Sequence, residues 1–307
     1  MIAFDLGSNT LRAVEIECNT LKRIKEYEKI VKTAEDMYKT GLIKESALQR
    51  VIEAIEEAKK IFDLKNDRIV AVATAALRNA KNKEEILRKI EEKTEIKFQI
   101  IDGEKEAFLT AIAVQERLKK LKLPHNNFLT IDLGGGSTEI VLKKDKNIET
   151  KSVNIGIVTF AQKYKTLYSI KKNAKIAYDK ELKEFLKTLY EKYKKPDILA
   201  STGGTPTTIA AFLSGMDYGH YEYEKINGFV LSVQDIEKAL QKLLKLDIKE
   251  REKWVGTGRG DLIIAGIYLL ISLIKICGFS QTTVIDDSLR EGAAIEQCKK
   301  DSFAKNI

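Results

Sequence analysis

Two short turns rich in glycine and hydroxyl residues are the parts of this sequence best suited to chemistry. Residues 5–10 read DLGSNT and residues 132–138 read DLGGGST, so both contain an acid, a Leu-Gly step and a terminal hydroxyl. Glycine lets backbone N–H groups approach a phosphate without side-chain obstruction, and adjacent hydroxyls add further donors. An ordinary hairpin is the alternative for either turn alone. The pair together predicts an internal duplication of one anion-binding turn.

The acids at the heads of these turns predict a metal ion. Asp5 and Asp132 would project from strand ends toward the same anion. Carboxylates and phosphates tolerate each other only when a cation such as Mg²⁺ lies between them. An acid followed by a glycine turn therefore predicts a metal-phosphate site.

The elements around the two turns follow one plan. Three strands are predicted at 2–6, 11–16 and 21–30, and three more at 128–133, 138–143 and 148–154. In both sets the glycine turn joins the first strand to the second. The other predicted elements are helices at 47–62, 83–93, 104–121, 170–195, 233–244 and 262–276, and strands at 68–74, 96–101, 198–201 and 282–285. This alternation is typical of an α/β fold.

The length of 307 residues exceeds what one hydrophobic core usually supports, so two domains are expected. The segment 121–127, with Pro124 and two asparagines, is the predicted joint. The domains would be 1–122 and 123–287, with a C-terminal helix at 288–307 packing back on the first. A third turn, Thr202-Gly203-Gly204-Thr205, precedes Pro206, where a helix could begin.

Composition excludes several classes of protein. With 44% hydrophobic and 32% charged residues the chain can form packed cores, so it is neither disordered nor collagen-like. The formal charge of +8 favours polyanionic partners, but no nucleic-acid-binding motif accompanies it, so no nucleic acid is predicted. The apolar stretch 262–274 is shorter than the roughly 20 residues of a membrane span. No signal segment opens the sequence, and we expect a cytoplasmic protein that does not bind membranes.

Cysteine and histidine predict no further site. Cys18, Cys277 and Cys298 are odd in number and lack CxxC spacing, so we expect inert thiols with neither disulfides nor zinc. His125 and His220 lie far apart and have no metal-ligand partners nearby in the sequence. Any bound metal should therefore have oxygen ligands.

Five further segments make a family resemblance specific. They are 73–80 (ATAALRNA), 101–107 (IDGEKEA), 156–162 (GIVTFAQ), 201–205 (STGGT) and 288–292 (SLREG). With the paired turns, they resemble the exopolyphosphatase and guanosine pentaphosphate phosphohydrolase (Ppx/GppA) family of the actin, sugar kinase and Hsp70 superfamily. The resemblance runs from residue 2 to about 298. It implies two duplicated ribonuclease H-like, actin-like ATPase domains with a cleft between them.

The resemblance implies a phosphohydrolase. It would remove the terminal phosphoryl group from inorganic polyphosphate, guanosine pentaphosphate or both, using Mg²⁺ or another divalent cation such as Mn²⁺ and water as acceptor. The family's catalytic glutamate falls on Glu106, and Lys105 replaces a glutamate of the family motif. Asp132 and Arg78 would assist catalysis, and Asp5, Asp132 and Glu139 would organise the metal. The implied phosphate-binding residues are Gly7, Ser8, Asn9, Thr10, Arg12, Gly134, Gly135, Gly136, Ser137, Thr138, Gly203, Gly204 and Thr205.

Other interpretations stay open at this point. A kinase of the same superfamily would need an acceptor pocket, for which we find no motif. A sensor that binds its ligand without cleaving it is the other alternative, because Lys105 could perturb the neighbouring base. Arg290 and Glu291 are expected to form a structural ion pair. The resemblance also implies a homodimer, and the chain is similar to the family's short, two-domain form.

Overall fold

The computed structural model describes residues 1–64 and 68–304, with side chains to residue 301. It divides into two compact units, Met1–Ala113 with Asp287–Ile307 (unit 1) and Val114–Asp286 (unit 2). Both units combine a sheet with helices, which confirms the predicted α/β class.

Unit 1 begins with the predicted meander. Its elements up to the boundary are β1 (Ile2–Leu6), β2 (Thr10–Glu17), β3 (Lys22–Ile30), α1 (Met37–Thr40), α2 (Glu45–Lys59), β4 (Ile69–Ala73), α3 (Ala75–Asn79), α4 (Lys83–Thr94), β5 (Gln99–Ile100) and α5 (Gly103–Lys120). The sheet order is β3-β2-β1-β4-β5, with β1 antiparallel to β2 and parallel to β4. Alternate residues of β1 enter different cores, Ile2 and Phe4 in one and Ala3 in the other.

Unit 2 repeats this start around a larger core. Its elements are β6 (Asn127–Leu133), β7 (Thr138–Lys144), β8 (Asn147–Val153), α6 (Ile157–Lys163), α7 (Leu167–Ala174), α8 (Asp179–Tyr193), β9 (Leu199–Thr202), α9 (Gly204–Leu213), a 3₁₀ turn (Tyr218–His220), α10 (Tyr223–Ile226), β10 (Val230–Ser232), α11 (Val233–Lys245), α12 (Ile248–Val255), α13 (Leu262–Ile276) and β11 (Gln281–Val284). The sheet order is β10-β11-β9-β6-β7-β8. No helix in the described residues is long and apolar enough to cross a membrane.

The last helix, α14 (Leu289–Ala304), belongs to unit 1. Its residues Leu289, Ala293 and Ala294 share a core with Ala3 of β1. A Cβ at Gly292 would overlap the backbone of Leu109 in α5, so glycine permits the two helices to lie in close contact.

The boundary between the units falls inside a helix. Leu109 in the first part of α5 packs in a core of unit 1, whereas Val114 and Leu118 pack in a core of unit 2. The units therefore divide at 113/114, whereas the sequence placed the joint at 122/123.

Two predicted elements differ from the structure. The segment 170–195 was predicted as one helical stretch, but it forms α7 and α8, separated by a turn that ends at the fully buried Tyr178. The strand predicted at 96–101 is reduced to Gln99–Ile100, because only these two residues pair with the end of β4.

The prediction that all three cysteines are free is wrong for two of them. Cys18, just after β2, and Cys298, on α14, form a disulfide across a sequence separation of 280 residues. Sequence spacing could not reveal this pair, because only the packing of α14 in unit 1 brings it together. Cys277 is the free cysteine, and burial raises the pKa of its thiol to about 12, so this one is inert as expected.

Candidate functional site

The second glycine turn is a tight hairpin between β6 and β7. The N–H of Gly134 donates to the carbonyl of Ser137 at 3.1 Å. The carbonyls of Gly134 and Gly135 accept hydrogen bonds from the first N–H groups of α6, at 3.0 and 2.8 Å. Because the C=O and N–H of one trans peptide point in opposite directions, the N–H groups of Gly135 and Gly136 are directed away from α6. The hairpin thus presents two adjacent donors on one side, as an anion site requires.

Gly156 makes this arrangement possible. It immediately precedes α6, and a Cβ at this position would lie 2.5 Å from the carbonyl oxygen of Gly135. Only glycine allows the helix to start so close to the turn that its N–H groups reach the turn's carbonyls. The sequence motif 156–162 therefore has a structural role in fixing the orientation of the hairpin.

The first glycine turn has the same construction in unit 1. Its two hydrogen-bonded carbonyls lie one residue further from the first glycine of the turn than those of the second turn do. The N–H of Gly7 donates to the carbonyl of Thr10 at 3.0 Å. The carbonyls of Ser8 and Asn9 accept from N–H groups of Ala34 and Val31, at 2.8 and 2.9 Å. The N–H groups of Asn9 and Thr10 consequently point to the other side. The structural duplication predicted from the sequence is confirmed at this level.

Charged side chains around the two hairpins differ. In unit 1, Asp5 stands opposite Arg12 on β2, and Arg12 stands opposite Glu28 on β3 with Nε 2.8 Å from the Glu28 carboxylate. In unit 2, Asp132 stands opposite Glu139 on β7. Thus one hairpin has an acid facing a base, and the other has an acid facing an acid.

The acid pair of unit 2 is almost completely buried. Asp132 is 8% exposed and Glu139 is 1% exposed. Glu139 stands opposite Ser152 on β8 and accepts a hydrogen bond from its hydroxyl at 2.8 Å. Ser152 belongs to no sequence motif and was not predicted, but extending the hairpin register from Glu139 to the third strand leads to it.

The pair fits the requirements of a divalent cation. Cross-strand partners have Cβ atoms about 5 Å apart, and two buried carboxylates at that separation favour a cation or a proton between them. Mg²⁺ is commonly bound by one or two carboxylates together with waters and substrate phosphates. No group of three or more His, Cys, Asp or Glu side chains able to hold a metal occurs in residues 1–64 and 68–304. The two carboxylates therefore suit a cation whose remaining ligands come from a phosphate and from water.

The third turn lies beside Asp132. Thr202, at the end of β9, is the strand partner of Asp132. Gly203 has φ +93°, and a Cβ there would lie 2.8 Å from the carbonyl of Leu133 and 3.2 Å from Asp132 Oδ1. Glycine is required by both the backbone angle and the contact. Gly204 then begins α9, two residues before Pro206, where the sequence predicted that a helix could begin.

Two of the predicted hydroxyl ligands point into the interior of unit 2. Thr138 is fully buried, donates to the carbonyl of Ile155 at 2.6 Å and accepts from the hydroxyl of Tyr178 at 2.9 Å. The side chain of Thr205 is also buried and lies against Gly266 of α13. The Thr138 hydroxyl is thus engaged within unit 2, and the Thr205 side chain packs against α13, so a role in phosphate binding is left to their backbone groups.

Glu106 lies in the first turn of α5 and is 8% exposed. Its Oε2 is 3.0 Å from Nη1 of Arg78, and the same nitrogen donates to the carbonyl of Ile101 at 2.9 Å. Asp102 precedes the helix and accepts a hydrogen bond from the N–H of Lys105 at 2.7 Å. Arg78 thus fixes the orientation of a mostly buried carboxylate at the N-terminal end of α5. The structure brings together the two residues that the sequence proposed separately.

Lys105 is directed to α14. Its Nζ is 2.5 Å from Glu296 and lies over the ring of Phe108, 5.0 Å from the centroid. Burial alone would raise the pKa of Glu296, but the hydrogen bonds and charges of Lys105 and Lys300 lower it on balance. Lys105 therefore stabilises the contact between α5 and α14.

Arg290 and Glu291 form the predicted structural ion pair, with Nε 2.7 Å from Oε1. Glu291 is also 2.9 Å from Arg23 on β3, and Arg290 is 3.1 Å from Glu26. The two arginines and Glu291 are nearly fully buried. This network fastens α14 to β3.

These features define a two-domain α/β protein of the actin-like kind, with one phosphate-type hairpin in each unit and a buried acid pair beside the second. The Ppx/GppA phosphatase family matches residues 13–301, and the chain belongs to this family. The predicted family and fold are thereby confirmed.

Two curated relatives show how the family is named. A bifunctional 3-dehydroquinate synthase/phosphatase of Fusobacterium nucleatum is 31% identical over 310 residues, covering 96% of this chain and 46% of the relative. A guanosine-5'-triphosphate,3'-diphosphate pyrophosphatase of Photobacterium profundum is 26% identical over 306 residues, covering 97% of this chain and 59% of the relative. The chain spans about half the length of these relatives.

Solved structures agree on the fold. The crystal structure of the Aquifex aeolicus Ppx/GppA family member is 30% identical, has a TM-score of 0.73, and matches 98% of this chain and 97% of that chain. An exopolyphosphatase from Cytophaga hutchinsonii has a TM-score of 0.84 at 23% identity, covering 97% of both chains, and supports the fold alone.

Proposed function

We propose that this protein is a phosphohydrolase that removes the terminal phosphoryl group from inorganic polyphosphate, from guanosine pentaphosphate or from both. The observation that carries the proposal is the repeated hairpin. In each copy a following segment binds two turn carbonyls, which leaves the adjacent backbone N–H groups on the opposite side, where a phosphate could bind. Family membership supports it, as does the name of the Photobacterium profundum relative. Both proposed substrates present a terminal phosphoryl group on a polyanionic tail, and we expect activity on both, with a bias toward the pentaphosphate.

In this proposal the hairpins position the substrate. N–H groups of residues 9–10 and 135–136 would donate to phosphate oxygens, and the backbone of residues 203–205 would contact a further phosphate. Arg12 would add positive charge beside the first hairpin. Phosphoryl transfer depends mainly on such positioning and on electrostatic stabilisation.

Glu106 is proposed as the general base. It would accept a proton from a water molecule as that water attacks the terminal phosphorus in line with the leaving oxygen. Arg78 supports this role because it holds Glu106 Oε2 at 3.0 Å and is itself anchored to the carbonyl of Ile101. Its guanidinium would also stabilise the negative charge of the transferring group.

Asp132 and Glu139 are proposed to hold Mg²⁺ or Mn²⁺, and Asp5 is proposed to assist. When bound, the cation would offset the charge of the phosphates and of the leaving group. Ser152 supports the proposal because it orients Glu139 within the pair.

A sensor without catalytic activity is less favoured by the structure. A sensor would require Lys105 to perturb Glu106, but Lys105 is engaged by Glu296 and Phe108. The kinase alternative has no acceptor motif to support it. We also propose a homodimer, which sedimentation analysis of the purified chain would test.

The deciding experiment measures phosphate release from both substrates with Mg²⁺, comparing the wild type with Glu106→Gln. If Glu106 is the base, turnover should fall by about 100-fold or more, with ligand affinity nearly unchanged. Glu104→Gln is the matched control, because Glu104 lies in the same helical turn but is exposed, and its activity should stay near wild type. Near-wild-type turnover of Glu106→Gln would refute the assignment. Tight binding without any phosphate release by the wild type would favour the sensor.

A further inference from the structure

A groove in unit 2 lies apart from the proposed active site. Helices α7, α8, α11 and α13 line this open groove of about 1010 Å³, and none of the residues assigned above lines it. Cavities of roughly 300–1,000 Å³ typically bind small organic ligands. Its volume is therefore at the upper end of the range for a single small molecule.

The floor of the groove is an unusual face of α13. Tyr268, Ile271, Ser272 and Ile276 follow one another at helical spacing, and all four are only half-buried. Apart from Lys275, the other residues of α13 are apolar, and nearly all of them are buried. The fold leaves one apolar face of this helix open to the groove, together with the buried Leu240 of α11.

Lysines surround this apolar floor. Three of the lining lysines have acidic partners, and two of these pairs are Lys183 with Asp179 at 2.7 Å and Lys275 with Glu237 at 3.7 Å. Lys171 and Lys175, one helical turn apart at α7, form no ion pair with any described residue.

Lys242 on α11 likewise has no acidic partner among the described residues, and Lys238 has a 3.5 Å contact with Asp235. The rim is therefore positive beyond what the neighbouring acids offset. An occupant with complementary chemistry needs an apolar body and a negative head.

We propose that this groove binds a single-chain amphiphilic carboxylate of the fatty-acid kind. Its chain would lie on Tyr268, Ile271 and Leu240, and its carboxylate would pair with Lys171 and Lys175, with Lys242 adding positive charge from α11. An inorganic polyanion would gain nothing from the apolar floor, and a neutral lipid would gain nothing from the lysines. The two features together select the amphiphilic anion.

The test uses the full chain and the fluorescent probe 11-(dansylamino)undecanoic acid, with dodecanoate and dodecanol as competitors. We expect saturable probe binding that dodecanoate displaces at least about 10-fold more effectively than dodecanol, because only dodecanoate can pair with the lysines. The double variant Lys171→Gln/Lys175→Gln should weaken dodecanoate binding by about 10-fold, and Ile271→Glu by at least that factor. Lys146→Gln, an exposed lysine in the turn between β7 and β8, is the matched control and should bind like the wild type.

Several results would overturn the proposal. These are equal displacement by dodecanol and dodecanoate, probe binding that all three variants leave unchanged, and association with anionic vesicles without binding of free dodecanoate. If Ile271→Glu instead dissociates a dimer while the wild type binds no probe, the groove is an interface between copies of the chain. Because the lysine variants are at the surface, their thermal melts should match the wild type. Phosphate release should be unchanged in every groove variant, which separates this test from that of the proposed function.

Discussion

The two hairpins share a backbone construction and differ in charge. Each closes with one N–H to C=O bond, and each has two carbonyls held by a following segment. Around the first, the ladder across three strands reads acid, base, acid, at Asp5, Arg12 and Glu28. Around the second it begins with two acids, Asp132 and Glu139. The two hairpins thus share their backbone geometry, and only the second has two acids facing each other, the arrangement that we propose binds a cation.

The largest expected effect separates the two leading acids. Asp132→Asn should lower phosphate release by on the order of 100- to 1,000-fold, because it removes half of the proposed metal-binding pair. Asp5→Asn should lower it by only about 10-fold, because Asp5 faces an arginine. Initial rates with both substrates across a Mg²⁺ titration would measure this. Equal losses in the two variants would show that the difference in charge has no functional meaning.

The next effect concerns the covalent crosslink, which joins residues of unit 1 only. Cys18→Ser should lower the free energy of unfolding by about 3 kcal/mol, because the disulfide closes a very long loop in the unfolded chain. Denaturant unfolding with and without dithiothreitol would check this. The reductant should destabilise the wild type and leave Cys18→Ser unchanged. A wild type indifferent to reductant would contradict the prediction.

A smaller effect tests how closely each hairpin is covered. Gly156→Ala should destabilise the protein by about 2 kcal/mol, because its Cβ would overlap the backbone of the second turn. Gly7→Ala in the first turn should change stability by less than about 1 kcal/mol, since its nearest contact is an ordinary 3.4 Å. Thermal denaturation of both variants gives the comparison. A reversed order would mean that the coverage of the turns has been misjudged.

The smallest effect concerns the second acid of the pair. Glu139→Gln should raise the Mg²⁺ concentration needed for half-maximal activity by about 10-fold, since an amide oxygen is a weaker ligand than a carboxylate. Ser152→Ala, which removes only the hydrogen bond to Glu139, should produce a shift in the same direction of lesser size. Activity measured against Mg²⁺ for both variants would check the order. An unchanged Mg²⁺ requirement in Glu139→Gln would remove it from the metal site.

The sequence predicted those parts of the molecule that depend on local pattern. The hairpin strands appear within one or two residues of their predicted bounds, and α13 has the predicted bounds 262–276. Sequence spacing alone could not identify Glu106 as a site residue, because a single glutamate in a highly charged chain has no pattern of its own. Its pairing with Arg78 depends on the fold.

Features that depend on distant segments escaped prediction. Cys18 and Cys298 meet only because α14 packs in unit 1. The interior positions of Thr138 and Thr205 depend on partners far along the chain, Tyr178 and Gly266, which a turn motif cannot show. The local sequence of a glycine-rich turn therefore does not show whether its hydroxyl binds a ligand or packs inside the fold.

The attachment of α14 has a consequence for synthesis on the ribosome. Unit 1 is built from residues at both ends of the chain, whereas Val114–Asp286 is continuous. Arg23 and Cys18 are made early, but their partners Glu291 and Cys298 emerge only after the whole intervening unit. The continuous unit can complete its core during translation, while the other must wait for its closing helix. Arrival of that helix therefore marks the moment at which a nascent chain can first carry both hairpins in finished form.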